Sequence, residues 1–292
     1  MRNARQYTER YRFAPVPPAA QMCGIVKRSR LLLFIFAAMA SLAMPGCVLA
    51  QFGFPPPQPP VNARKIAPLD LTGYWVSIVT EDWRFRMITP DKGDYASVPL
   101  NSEGKRVADM WDPAKDEAAG EQCRSYGAPA IMRVPGRLHI SWENDNTLRV
   151  ETDAGTQTRI FHFDSPPPPK STPQWQGYSV AEWDGLRPGG FFNLSGFGAA
   201  AGPGGPGPEG YLKVVTTELR PGYLRKNGVP YSLNAKLEEY FDSFKAPNGD
   251  QWLVVTTIVT DPKYLAEPFI TSSHFKKLPD ASGWNPSPCA TK

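Results

Sequence analysis

Three sets of side chains in this sequence have the types and spacing to do chemistry. His139, His162 and His274 are its only histidines, and each falls in a run that alternates like a β-strand. Inward residues from separate strands can converge, and three imidazoles would then form a metal or acid–base site. Against this, His139 alternates with Arg137, Ser141 and Glu143, which is the pattern of a solvated face. The second set is charged. Glu218 is in phase with Leu212, Val214 and Thr216, Glu239 with Leu237 and Phe241, and Arg159 with Phe161 and Phe163. A charge on a buried apolar face must be paired, so the spacing predicts an ion pair of Arg159 with Glu239 or Glu218. Such a pair is either a structural tie or a polar anchor for a ligand in a cavity. The third set is the stretch WQGYSVAEWDG, where Gly177, Ser179 and Ala181 alternate with Tyr178, Val180 and Glu182. Tyr178, Glu182 and Trp183 are the expected wall if a cavity exists, and core filling if it does not.

Other chemistries lack their motifs. No G-x-S-x-G elbow occurs, GPGGPGPEG is too rich in proline for a phosphate loop, and no Cys/His spacing suits zinc. No catalytic residue, metal or cofactor is therefore assigned.

Strands must position these groups. From Asp70 onward, runs rich in Val, Ile, Thr, Trp, Tyr and Phe are separated by Gly, Pro, Asn and Asp. They predict strands over 73–80, 83–88, 131–134, 137–143, 147–152, 157–163, 177–183, 212–219, 237–244, 252–260 and 270–276. Leu138, Ile140 and Trp142 share one face, and turn residues at 144–146 and 153–155 make three consecutive strands a meander. A helix is predicted from Asn101 or Ser102 through Val107, Ala108 and Trp111, weakened by Gly104. Many short strands with one or two short helices predict a mainly β fold, a single antiparallel β-barrel or strongly curled sheet. Residues 185–210 are too rich in Gly and Pro for a regular element and predict a long, flexible excursion.

The amino-terminal residues read differently. Lys27, Arg28 and Arg30, the apolar run 31–42 and Val48-Leu49-Ala50 form the three regions of a signal peptide over 1–50. The apolar run is short for a membrane span. A lipid anchor at Cys47 is the poorer reading, because Met44-Pro45-Gly46 precede it. Residues 51–69 predict a proline-rich tether and 70–292 a single domain, located in the periplasm or secreted. The leader holds seven of the 32 Lys and Arg and one of the 28 Asp and Glu, so 25 basic and 27 acidic residues follow it. That balance offers no footprint for nucleic acid. Beyond the leader stand Cys123 and Cys289, which permit one disulfide in an oxidising compartment.

The stretches CRSYGAP (123–129), DAGTQTRIFHF (153–163), WQGYSVAEWDG (175–185), YLKVVTT (211–217), LEEYF (237–241) and TDPKYLAEPF (260–269) resemble, in the same order, an uncharacterised group of exported soil-bacterial proteins. The likeness covers about residues 120–275 and departs from the group where Asp184 follows Trp183. It implies export and a β-rich fold, and no mechanism. DLTGYW, residues 70–75, is similar to the G-x-W opening of lipocalin-like barrels, although Lys276 and Lys277 stand where their closing arginine would be. The leading expectation is an exported barrel that binds a small, partly apolar molecule in its interior, anchored by Arg159 and Glu239. The competing ones are a hydrolase or isomerase using carboxylate or histidine acid–base chemistry, and a non-enzymatic envelope interaction protein.

Overall fold

The structure, a computed structural model, describes residues 62–164, 166, 172–185 and 210–291. The expected leader, most of the tether and residues 186–209 of the excursion lie outside the described residues. Nine strands close into a barrel. They are β1 (Gly73–Ile78), β2 (Arg137–Asn144), β3 (Thr147–Thr152), β4 (Gln157–His162), β5 (Tyr178–Asp184), β6 (Tyr211–Thr217), β9 (Lys236–Lys245), β10 (Gln251–Thr260) and β11 (Phe269–Leu278). Two more, β7 (Gly222–Arg225) and β8 (Val229–Tyr231), pair as a separate hairpin. Around the barrel the order is β1-β11-β10-β9-β6-β5-β4-β3-β2, and β2 returns to β1.

Alternation drives closure. Leu138 and Ile140, Leu148 and Val150, Leu212 and Val214, and Leu253 and Val255 send one face of each strand inward around Trp75, Phe161, Phe241 and Phe275. Closing the sheet buries that face with no free edge. Trp75 is fully buried, its Nε1 donates to the Leu71 carbonyl at 2.9 Å, and Lys277 Nζ sits 5.2 Å above its ring. The meander β2–β3–β4 forms as its turns predict. One seam departs from the antiparallel expectation: Gln176, just ahead of β5, lies beside Gln157 at the start of β4, its Nε2 donating to Gln157 Oε1 at 2.9 Å. β5 therefore runs parallel to β4, over two register pairs, Phe161 with Ser179 and His162 with Val180.

The helices and the extra hairpin gather at one end of the barrel as a cap. Between β1 and β2 come α1 (Trp83–Met87), α2 (Ser102–Ala108), α3 (Pro113–Ala118), a 3-10 turn (Gln122–Tyr126) and α4 (Ala128–Ile131), and between β6 and β9 comes the β7–β8 hairpin. A second core lies under this cap, including Leu100, Ala108, Leu224, Val229, Leu237 and Phe269. Asn101 caps α2 by accepting from Gly104 N at 2.8 Å, and Asp112 caps α3 ahead of Pro113. Gly104 has a packing reason, since a β-carbon there would lie 2.3 Å from the Tyr264 carbonyl oxygen. Cys123 and Cys289 form a disulfide, Cα–Cα 5.1 Å, which ties the carboxy-terminal tail to the cap.

Four expectations are corrected. The helices exceed the one or two predicted. Residues 83–88 are helix α1 rather than strand: a strand would bury Trp83, Phe85 and Met87 together, whereas the fold buries Arg86 and exposes Trp83 and Met87. Residues 131–134 finish α4 and its turn instead of forming a strand. The end of the expected tether is docked, with Ala63 buried, its N–H donating to Asn146 Oδ1 at 2.8 Å and its carbonyl accepting from Trp183 Nε1 at 2.8 Å.

Candidate functional site

Arg159 on β4 and Glu239 on β9 meet in the barrel interior in a two-pronged ion pair, Nη1 to Oε1 at 2.9 Å and Nη2 to Oε2 at 2.5 Å. Both side chains are fully screened from solvent. Arg159 Nη2 also reaches Thr216 Oγ1 on β6 at 3.3 Å, and Thr216 shares a 2.7 Å hydrogen bond with Ser179 on β5. This polar chain runs across β4, β5, β6 and β9, and so bridges the seam where the ladder has only two register pairs. The cavities at Arg86, Tyr95 and Trp111 touch neither Arg159 nor Glu239. The arrangement is a tie within a packed interior, with both charges consumed by each other.

Glu218 is the partner that sequence phase offered and the fold rejects. β6 ends at Thr217, and Glu218 turns with φ 56°, which takes its side chain out of phase with Thr216. The wall grouping of Tyr178, Glu182 and Trp183 is corrected too. On β5 the small residues Ser179 and Ala181 face inward, and Trp183 shares their face, packing with Trp142 and Phe163. Tyr178 and Glu182 lie on the outer face, where Tyr178 stacks on His162 with ring centroids 4.6 Å apart and Glu182 accepts from Lys213 at 2.8 Å.

The histidines do not converge. His139, on β2, stacks on Tyr74 and bonds Glu151, while His274, on β11, pairs with Glu81 in the segment between β1 and α1, Nδ1 to Oε2 at 3.1 Å. His162 is held below its ordinary value mainly by burial. Among the described residues no three His, Cys, Asp or Glu side chains are placed to hold a metal ion.

A cavity of another character lies in the cap. A cavity of about 220 Å³ opens between α1 with the residues after it, α4 with its turn, and β7. Arg86, Arg133 and Arg225 all line it, and each is at most 8% exposed. Arg86 is used up by the fold: Nε donates to the Arg133 carbonyl at 2.9 Å, Nη1 to Glu81 at 2.5 Å and Nη2 to Ser77 Oγ at 3.2 Å. Arg133 gives Nη2 to Asp82 at 3.0 Å, and its Nη1 has no partner. Arg225 gives only Nη1, to the Ala96 carbonyl at 2.7 Å, and both Nε and Nη2 are unpartnered. Its guanidinium lies 4.2 Å above the Phe85 ring, which fixes its plane.

Nε and Nη2 form the side-on edge of a guanidinium, the fork that grips a carboxylate or phosphate through two parallel hydrogen bonds. Burial pushes the Arg225 guanidinium down to about 10, and the Arg133 charge adds to the effect. Asp82 and Asp94 act the other way from a distance, but neither forms an ion pair with it among the described residues, so burial prevails. No family model, curated protein or solved structure matches this chain. The reading of the cavity rests on its own residues.

Sequence reasoning missed these arginines because no spacing links them; Arg86 and Arg133 are 47 residues apart. A weak signal was present. In RFRMI, IMRVP and GYLRKNGV each arginine interrupts an apolar run, the same argument that picked out Arg159.

Proposed function

We propose that this β-barrel protein binds a small molecule carrying a carboxylate or phosphate, and that it does so in the capped end rather than inside the barrel. The observation that carries the reading is that Arg225 leaves Nε and Nη2, and Arg133 leaves Nη1, without partners while both side chains line one cavity. Met87, Ile88 and Val134 line the same space, which suits a ligand with an apolar part beside its charged head. Export, supported by the leader and by the resemblance to secreted soil-bacterial proteins, places such binding in the periplasm or outside the cell.

Titration calorimetry with inorganic phosphate and with hexanoate tests this. One or both should bind the wild-type chain, and Arg225→Gln together with Arg133→Gln should remove at least 90% of the affinity, on the scale of charge-assisted hydrogen bonds lost from a buried site (roughly 1.5–3 kcal/mol each). Unchanged binding in that double variant would sink the proposal.

A further inference from the structure

The described residues expose eight large apolar side chains by more than a third, and three of them, Trp83, Met87 and Ile88, fall within one turn of helix and the residue after it. They are 62%, 60% and 67% exposed. Trp83 and Met87 are four apart and share a helix face, so they project side by side. Met87 and Ile88 also form the lip of the arginine cavity. Around that lip stand Arg84, Arg86, Arg133, Arg225 and Lys226 against Glu81, Asp82 and Asp94, an excess of two positive charges.

We propose that α1 is a wedge that docks the protein on an anionic lipid bilayer, with a lipid phosphate seated in the Arg225–Arg133 fork. This rests on the anion-binding reading above and names the source of the anion. Three arguments carry it. Tryptophan and long aliphatic side chains beside cations are the composition of an interfacial membrane anchor. The excess positive charge complements an anionic leaflet, worth roughly a fivefold gain in affinity for each cation near the surface. Three side chains on one turn are far too small a patch for a stable protein interface, which buries about 800 Å² on each partner.

The test reads Trp83 directly. Of the eight tryptophans only Trp83 is exposed, and residues 1–50 contain none, so the apolar leader adds no tryptophan of its own to the signal. The full chain is mixed with vesicles of phosphatidylglycerol or phosphatidylcholine whose acyl chains carry bromine, which quenches tryptophan on contact. Quenching is expected on phosphatidylglycerol, absent in Trp83→Phe and reversed by salt. Met87→Ser with Ile88→Ser should weaken it about tenfold through lost apolar burial. Arg225→Gln should weaken it about fivefold. Equal quenching on both lipids would overturn the proposal. So would a concentration-dependent dimer abolished by Trp83→Ser, which would make a second copy the occupant. If inorganic phosphate or hexanoate binds but Trp83 stays unquenched on phosphatidylglycerol, the wedge fails and the anion site stands; if neither anion binds and Trp83 stays unquenched, both readings fail.

Discussion

Arg159 and Arg225 are both almost wholly buried, at 1% and 4% exposure, yet they are held in opposite ways. Arg159 faces a carboxylate with two hydrogen bonds and a threonine with a third, and only its Nε is left over. Arg225 lines a cavity with a second arginine, donates to one backbone carbonyl, and leaves the two nitrogens of its side-on edge without a partner. Burying a guanidinium costs several kcal/mol in either place. In the barrel a neighbouring strand offsets that cost. In the cap Asp82 and Asp94 offset it only in part, without a direct ion pair to Arg225 among the described residues, and a buried charge so placed points to a partner from outside the chain.

The largest expected effect separates the two sites. Glu239→Leu strands Arg159 without its carboxylate and should cost about 3–5 kcal/mol in urea unfolding, whereas Arg159→Met with Glu239→Leu should return to within about 2 kcal/mol of wild type or exceed it. A double variant as unstable as the single one would break the view that the pair acts as one closed tie. Next in size, phosphate at 100 times its dissociation constant should stabilise wild type by about 2.7 kcal/mol. Arg225→Gln should abolish that gain without loss of intrinsic stability.

A pH series sharpens the contrast further. Arg225 sits at about 10 in the folded chain against an ordinary 12.5. The folded state therefore releases this proton before the unfolded chain does, and stability attributable to Arg225 rises as pH climbs from about 10 toward 12.5. Below pH 9 the full cost of the buried cation is present. Wild type should gain on Arg225→Gln between pH 9 and 10.5 in paired unfolding curves, and bound phosphate should flatten the difference. The smallest effect is expected at Glu182, whose side chain is 62% exposed beside Lys213. Glu182→Gln should change stability by less than about 1 kcal/mol and leave phosphate binding intact.

Much of the barrel was legible because one face of each strand is apolar. Leu138, Ile140 and Trp142 announce β2, and the Arg159–Glu239 pair follows from two charges set in such faces. The disulfide followed from having two cysteines beyond the leader. What stayed hidden depends on contacts distant in sequence. In WRFRM the aromatic alternation imitates a strand, and only the hydrogen bonds of Arg86 to Ser77, Glu81 and Arg133 make a helix the better solution. Glu218 has the right phase, but a left-handed residue ends the phase just there. The cavity draws on three separate stretches, and no local pattern records that they meet.

The two-pair seam between β4 and β5 also sets how this barrel breathes. The other eight seams hold four to ten register pairs, so slow hydrogen exchange should survive longest on β9 and β10, which share ten, and fade first on Tyr178 to Val180 and their neighbours on β4. A cylinder with one weak stave unrolls from that stave. Here a buried guanidinium serves as the clasp across it.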